Sequence, residues 1–469
     1  MNFISCVKWV HQGVAKSNPE KVQLTPEELQ NIIDSTKSEI EDEFEKEGGG
    51  EETMETDEGD VYNFERYDRE EENPSMLMGI GNLVADDVDN TPPVNNDPDS
   101  DDEDDIIKPT DNLIAVGHIE GDASVLEIYV YNDQDGDLYV HHDILLPTMP
   151  LCLEWLSYDP ADPKPSNLMA VGGMSAVIGI WDLDVIDCLE PAYQLGKFSV
   201  KKKRNKSHGH KDAVLDLSWN VNYKHILASC SVDKTILLWD LDEGKASTTI
   251  NQFSDKVQCL KWHPGDCHSL IAGSSDKTAK VFDCRHDETT TTFQFDDEVE
   301  KVNWCPWETN RVVIGTGQGS VYCYDLRNPQ VKVWEIKAHN DEITGLELDS
   351  KTPGLLYTCA NDGFAKVWDI KSSQPNNIHS KCYKVDEIQC LSINPNFPYV
   401  ACMGGTNKSH NFRVINFQHE MAKEEENTNK PAPSTSSNVE IPESAFSSLT
   451  LKSSKPFKSK KKYGHKFRK

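Results

Sequence analysis

The most regular feature of the chain is a short apolar stretch that ends in an aromatic residue followed by Asp. Five such endings occur, spaced by 58, 43, 42 and 44 residues. A weaker copy lies on either side of the five, and the residues before each alternate as in a half-buried strand. Self-similarity at this period indicates a ring or stack of equivalent units. The seven endings are Tyr131-Asn132, Trp181-Asp182, Trp239-Asp240, Phe282-Asp283, Tyr324-Asp325, Trp368-Asp369 and Ile415-Asn416.

A second marker repeats in step with the first. In each copy an earlier strand ends in a large apolar residue, and another apolar side chain stands two positions before it. This period of two with one apolar face is typical of a strand. The strand ends are Trp9, Trp155, Trp219, Trp262, Trp304, Leu348 and Ile393, and their apolar partners are Val7, Leu153, Leu217, Leu260, Val302, Leu346 and Leu391.

Short apolar runs such as HILASCS and GLLYTCA lie between the two markers and supply further strands. Four strands in a unit of about 42 residues are the signature of a propeller blade. A single blade would leave its apolar faces in water, whereas a closed ring buries each face against its neighbour and removes open sheet edges. We therefore predict an all-β fold, a β-propeller of seven blades.

Two copies carry a set of polar residues that resembles the WD40 pattern. One set is His210, Ser229, Asp233 and Trp239, and the other is His339, Thr358, Asp362 and Trp368. We predict that Asp binds the His, that the His meets the hydroxyl, and that the indole N–H completes the chain inside the blade. We interpret these residues as structural rather than catalytic. The expected His is absent before Val257 and Val299, and Phe282 and Tyr324 replace Trp, so those blades should be held mainly by packing.

The markers also divide the chain. Residues 3–16 should hold the first strand of blade 1, residues 17–110 an acidic and mostly disordered insertion, residues 111–420 the rest of the propeller, and residues 421–469 a low-complexity basic tail. Thr25 and Pro26 begin a predicted short helix near 25–47. No strand precedes the first blade to complete the last one, so the missing edge is expected within residues 418–452.

Charge is unevenly distributed along the chain. The net charge is −32, and residues 17–108 hold 31 Asp and Glu against 6 Lys and Arg, too polar a composition to order itself by burial. Ser100, followed by acidic residues, matches an acidophilic kinase site, and the alternative is that the acidic run only solubilises the chain. The thirteen cysteines show no metal-binding spacing and are interpreted as reduced core residues. No signal peptide or membrane span is apparent, so we expect a soluble intracellular protein.

Two basic runs oppose this acidity. They are compatible with nuclear import, with nucleic-acid contact and with pairing to the acidic insertion. We favour nuclear import, with RNA or DNA contact second. The residues concerned are Lys201, Lys202, Lys203 and Arg204 in the first run, and Lys460, Lys461, Lys462, Arg468 and Lys469 in the second.

The motifs of common enzyme classes are missing. No glycine-rich loop opens a helix, and no Walker A, HExxH or GxSxG motif is present. The glycine-rich run at 315–320 falls where two strands of a blade turn, which favours a structural role. We expect no catalysis, no cofactor, no small-molecule substrate and no membrane contact.

The tryptophans at Trp9, Trp155, Trp219, Trp262 and Trp304, the opening ISCVKWVHQGVAK, and the runs YVHHDILLP and AVLDLSWN resemble the periodic tryptophan protein 1 family. The resemblance extends over almost the whole chain, including the acidic insertion and the lysine-rich run before Gly209. It implies a nuclear, largely nucleolar protein that supports ribosome production through ribosomal RNA synthesis and processing and through chromatin at ribosomal genes.

Three functions follow as hypotheses. The first is a scaffold on pre-ribosomal particles, with ribosome assembly factors and pre-ribosomal RNA as partners. The second is a chromatin reader that binds histones at ribosomal genes. The third is a chaperone for basic proteins that uses the segment Asp97–Asp105. A reader of methylated lysine needs an aromatic cage, but we interpret Trp307, Trp334 and Tyr383 as packing residues.

Overall fold

The structure, a computed structural model, describes residues 2–22, 106–134, 136–162, 164–196, 209–285 and 288–428. Seven antiparallel sheets follow one another along the chain. The first six have four strands and the seventh has three in the described residues. The predicted seven-bladed β-propeller is confirmed.

The first three blades use the N-terminal strand and the segment from residue 112 onward. They contain β1 (Asn2–Trp9), β3 (Asn112–Glu120), β4 (Ala123–Asn132) and β5 (Asp137–Leu146) in blade 1, β6 (Pro150–Leu156), β7 (Leu168–Gly173), β8 (Ile178–Asp182) and β10 (Tyr193–Leu195) in blade 2, and β11 (Val214–Trp219), β12 (Ile226–Ser231), β13 (Ile236–Asp240) and β14 (Lys245–Ile250) in blade 3. A short parallel pair, β2 (Glu20–Lys21) and β9 (Val185–Ile186), lies outside the blades.

The remaining blades follow at regular intervals. They contain β15 (Val257–Trp262), β16 (Ser269–Ser274), β17 (Thr278–Asp283) and β18 (Glu288–Gln294) in blade 4, β19 (Val299–Trp304), β20 (Arg311–Thr316), β21 (Ser320–Asp325) and β22 (Lys332–Lys337) in blade 5, β23 (Ile343–Leu348), β24 (Leu355–Ala360), β25 (Phe364–Asp369) and β26 (Asn376–Cys382) in blade 6, and β27 (Ile388–Ile393), β28 (Val400–Gly405) and β29 (Phe412–Asn416) in blade 7. One helix, α1 (Phe417–Thr428), follows β29 directly.

Cysteines and glycines pack where the first and second strands of a blade approach the axis. Cys259 pairs with Gly273, and a Cβ added to that glycine would stand 2.8 Å from the Cys259 sulfur. The same pairing joins Cys6 to Gly117. Burial raises the pKa of Cys6 to about 12, so its thiol is neutral at physiological pH. These cysteines are free thiols that serve as small core residues.

The strand order defines two faces. One face carries the loops that precede each first strand and the turns between second and third strands, and we call it the His–Asp face because His210 and Asp233 lie there. The other carries the loops after each first and third strand. We call it the insertion face, because β1 ends and β3 begins there.

Where the ring closes between blade 7 and blade 1, no described strand of one blade pairs with the sheet of the other. Trp9 Nε1 donates a hydrogen bond to the Ser392 carbonyl at 3.0 Å, and Asn411 Nδ2 donates to Asn2 Oδ1 at 2.6 Å. Ile4 belongs to a buried cluster that both blades share. The seam is therefore held by packing and by side-chain hydrogen bonds.

Four predictions about the divisions of the chain need correction or lie outside the described residues. The first strand ends at Trp9, whereas we had expected the unit to extend over 3–16. Residues 421–428 belong to α1 rather than to a low-complexity tail, because Asn416 caps a run of helix-forming residues. The helix predicted near 25–47 lies outside the described residues. Residues 418–428 do not supply the missing strand, since they are helical, and residues 429–452 lie outside the described part.

Candidate interaction face

The first predicted polar set is assembled in blade 3. His210 Nε2 lies 2.7 Å from Ser229 Oγ, and His210 Nδ1 lies 3.1 Å from Asp233 Oδ2. Trp239 Nε1 donates to the same Ser229 oxygen at 2.8 Å. Burial alone would raise the pKa of Asp233, but hydrogen bonds from His210 and Thr235 hold it well below its usual range. The set ties the third strand to the loop that precedes the first.

Blade 6 repeats the arrangement. His339 Nε2 lies 2.9 Å from Thr358 Oγ1, its Nδ1 lies 3.0 Å from Asp362 Oδ1, and Trp368 Nε1 donates to Thr358 at 3.0 Å. Burial lowers the pKa of His339, so the imidazole is neutral at pH 7. Thr358 has no exposed surface. The Thr358 hydroxyl thus lies inside the blade between the imidazole and the indole.

Blades 4 and 5 replace the whole set rather than one member. The strand registers place Ala272 and Phe282 in blade 4 where blade 3 has its hydroxyl and Trp. Phe253 precedes the first residue of β15 by four positions, as His210 precedes the first residue of β11. The Phe253 and Phe282 rings pack edge to face with centroids 5.9 Å apart. Blade 5 has Phe295, Ile314 and Tyr324 at these positions. The prediction that these blades rely on packing agrees with the contacts.

The first strands surround a narrow central cavity of about 150 Å³. Their free edges find hydrogen-bond partners on the next blade. Glu154 accepts from the Trp219 amide at 3.1 Å, and Asp216 accepts from the Leu260 amide at 3.0 Å. Glu154 also pairs with Lys8 at 2.5 Å. These bonds link successive blades around the axis.

The lysines around this cavity lie near carboxylates. Burial alone would lower the pKa of Lys261, but the carboxylates of Asp216, Glu154 and Glu347 hold it above its usual value. The cations are Lys8, Lys261 and Lys301, and the nearby anions are Glu154, Asp216 and Glu347. Each of the three lysines therefore has at least one carboxylate near it.

Acidic residues gather on the His–Asp face around blades 5, 6 and 7. Each of these blades carries acidic residues just before or within the start of its first strand, and the ring places them side by side. We call this set the acidic arc. Its members are Asp296, Asp297, Glu298, Glu300, Asp341, Glu342, Asp386 and Glu387.

Glu300 shows how crowded the arc is. Burial, and then the neighbouring charge of Glu342, raises the pKa of Glu300 to about 7. Gln258 Nε2 donates to Glu300 at 3.1 Å. Asp341, Asp386 and Glu387 are exposed at the rim. A cationic segment laid on this rim would relieve the repulsion and be attracted by the field of the arc.

The three aromatic residues considered for a cage do not form one. Trp334 and Tyr383 are buried, and Trp307 packs against the same cluster as Trp334. Their interpretation as packing residues agrees with the structure. Ser100, Lys201, Lys202, Lys203, Arg204, Lys460, Lys461, Lys462, Arg468 and Lys469 lie outside the described residues.

In the part of the chain that the structure describes, no group of three or more His, Cys, Asp or Glu side chains is arranged to hold a metal ion. Within the same residues, no helix has the length and apolar content needed to cross a membrane.

Comparison with known proteins supplies the family. Residues 218–414 match the family model described as Nucleolar protein 10-like, N-terminal domain. The chain is 37% identical to the periodic tryptophan protein 1 homolog of Drosophila melanogaster, over 90% of this chain and 95% of that protein. It is 29% identical to periodic tryptophan protein 1 of Saccharomyces cerevisiae, over 87% of each. A shorter match, 30% identical, covers 24% of this chain and 23% of the ribosome biogenesis protein WDR12 homolog of Oryza sativa subsp. japonica.

The similarity to the fly protein extends over nearly the full length of both chains, and the fold has the blades that the periodic tryptophans mark. The chain belongs to the periodic tryptophan protein 1 family.

Proposed function

We propose that this protein is a non-enzymatic WD-repeat scaffold that supports ribosome biogenesis in the nucleus and nucleolus. Membership of the family supports this, as do the match to a family model named for a nucleolar protein and the relative named as a ribosome biogenesis protein. The roles in ribosomal RNA synthesis and processing come from the family resemblance. Contacts with pre-ribosomal RNA or ribosomal-gene chromatin through the basic segments belong to the same proposal.

The non-enzymatic part of the proposal is supported by the polar sets. Both catalytic-looking His and hydroxyl pairs lie inside blades, and the hydroxyls of Ser229 and Thr358 are wholly buried. Each hydroxyl oxygen is also engaged by an indole N–H. The sets therefore lack the free space beside the nucleophile that a substrate needs.

The acidic arc supports the proposal that the scaffold binds basic partners. Basic, extended segments of ribosome assembly factors or ribosomal proteins fit its charge, and its position on the rim leaves it open to them. Histone tails have the same chemistry, so a chromatin-binding regulator of ribosomal genes is the second candidate. The segment Asp97–Asp105 would serve the chaperone hypothesis, which ranks third.

The test is recovery of the protein from cells after brief ultraviolet crosslinking, with sequencing of the attached RNA and analysis of co-purifying proteins. Enrichment of precursor ribosomal RNA and assembly factors over a control propeller supports the scaffold. Recovery of nucleosomes without RNA would instead support the chromatin reader and exclude the scaffold.

A pair of matched variants tests the arc itself. Asp386→Asn with Glu387→Gln neutralises two exposed residues of the arc, and Asp242→Asn with Glu243→Gln neutralises two exposed residues of the insertion face. The first variant should lose basic partners several-fold and the second should keep them. Equal recovery from both variants would exclude the arc as the binding surface.

A further inference from the structure

The outermost strand of blade 1, β5, differs from the outermost strands of blades 2–6. It has ten residues, whereas β10, β14, β18, β22 and β26 have three to seven. Among the described strands, only β4 pairs with β5. The outer edge of β5 therefore offers a longer row of backbone donors and acceptors than any of those five strands.

The most exposed apolar side chains of blade 1 lie on this strand. Leu138, Val140 and Leu145 are 38%, 45% and 63% exposed, and we call them the apolar row. Their partners on β4 are all odd-numbered residues, so the three side chains lie on one face of the sheet. A bulge at His141 separates two regular stretches of pairing, and each stretch carries at least one member of the row.

Strand edges that stay free in solution are commonly protected by lysine or proline, or by being short. Lysine is present in β14, β22 and β26, and β10 has only three residues. The strand β18 exposes Thr290, Thr292 and Gln294, which are polar. In contrast, β5 contains no lysine or proline and exposes the apolar row. Such an edge is suited to pairing with a strand from a partner.

The charge around β5 indicates the chemistry of that partner. Residues 121–146, which include β4 and β5, hold six Asp and Glu and no Lys or Arg. Asp143 pairs with Glu127 on the face that carries the apolar row. Burial, and then the charges of Glu127 and Asp187, raises the pKa of Asp143. A cationic strand beside β5 would relieve this repulsion, whereas an acidic one would increase it.

We propose that β5 is a docking site at which an extended segment of another protein, rich in basic and apolar residues, adds a strand to blade 1. Backbone hydrogen bonds along the edge supply affinity in this mode of binding, and side chains supply specificity. Apolar residues of the segment cover the apolar row, and its basic residues lie beside Asp137 and Asp143. The inference goes beyond the proposed function, because it requires neither the acidic arc nor RNA.

A labelled synthetic peptide and the full chain test the proposal by fluorescence anisotropy. The probe has ten alternating lysine and valine residues with blocked ends, which matches the length of β5. One control peptide has glutamate in place of lysine, and a second has proline in place of the two central valines. We expect each control peptide to bind about tenfold more weakly, because the first has the wrong charge and the second cannot pair as a strand.

Two matched substitutions locate the site on the protein. Val140→Lys places a cation in the apolar row, and Val331→Lys makes the same change at a residue of blade 5 that is 58% exposed. The first should weaken binding of the lysine–valine peptide about tenfold, and the second should leave it unchanged. The arc variant, Asp386→Asn with Glu387→Gln, should bind this peptide as the parent does, which separates the site from the acidic arc.

Hydrogen exchange of the same proteins shows whether the edge itself is engaged. The peptide should slow exchange of the outward-facing amides of β5 and leave those of β22 unchanged. Equal affinity for the lysine and glutamate peptides, or a loss in the arc or Val331→Lys variant as large as in Val140→Lys, would overturn the proposal. Protection of these β5 amides in the full chain without peptide would also overturn it, because the chain itself or a second copy would then cover the edge.

Discussion

The backbone of Gly404 lies directly against the side chain of Ile4 across the seam between blades 7 and 1. A Cβ added to Gly404 would stand 2.3 Å from Ile4 Cγ2 and 2.9 Å from the sulfur of Cys390. Ile4 is itself 1% exposed. The two blades therefore meet through a contact that only glycine permits.

Gly404→Ala is predicted to destabilise the protein because the seam has to widen to admit the methyl group. Overpacking of this kind costs about 1–3 kcal/mol, measurable as a lower free energy of unfolding in urea. Gly265→Ala is the control, since the nearest atom to its added Cβ is an ordinary 3.6 Å away. Equal stability of the two variants would show that the seam is not tightly packed.

Ser229→Ala is predicted to be more damaging than its size suggests. It removes the oxygen that meets both His210 and the Trp239 indole, and buried groups left unpaired cost about 1–3 kcal/mol. Replacing His210, Ser229 and Trp239 together by Phe, Ala and Phe copies the solution of blade 4. The triple variant should therefore be less destabilised than the sum of its single changes, as measured by urea unfolding. Simple additivity would mean that the three residues do not act as a unit.

His142 is predicted to make the fold sensitive to mild acid. Burial, and then the neighbouring His141, lowers the pKa of His142 to about 4. In the unfolded chain the pKa is about 6.5, so the unfolded state binds more protons between these values and stability falls as the pH drops from 6.5 to 4. His142→Gln should flatten the pH dependence of the unfolding free energy in this window. His410→Gln, at an exposed position, should leave it unchanged, and an unchanged slope in both would refute the assignment.

The blades and their polar sets could be predicted because both depend on residues that are close together in the sequence. Each strand repeats its apolar residues every second position, and His210 and Trp239 belong to one blade. The replacement of the hydroxyl by Ala272 and Ile314 was less visible, because small and apolar residues are ordinary in strands. Only the strand register shows that they vary together with Phe253 and Phe295.

Two features were missed from the sequence. Glu300 and Glu342 are 42 positions apart, and only ring geometry brings their charges together. Helix α1 was missed because its N-cap, Asn416, also occupies the position of the repeated Asp. The capping signal was present, but the repeat assigned the residue to a strand end.

The crowding of Glu300 leads to the last prediction. Its pKa of about 7 lies above the value of about 4.5 expected in the unfolded chain. The folded state therefore binds more protons between these values, so this group lowers stability as the pH rises from 4.5 to 7. Glu300→Gln keeps an oxygen for Gln258 and removes the charge that meets Glu342.

The variant should be more stable than the parent at pH 8, by about 1–3 kcal/mol, and the difference should vanish near pH 4.5. Urea unfolding at both pH values measures it. Glu335→Gln, an exposed residue paired with Lys332, is the control and should change stability by less than about 0.5 kcal/mol at either pH. A destabilised Glu300→Gln at pH 8 would contradict the prediction, because the attraction of Lys301 and Lys256 to the carboxylate would then outweigh burial and the repulsion from Glu342.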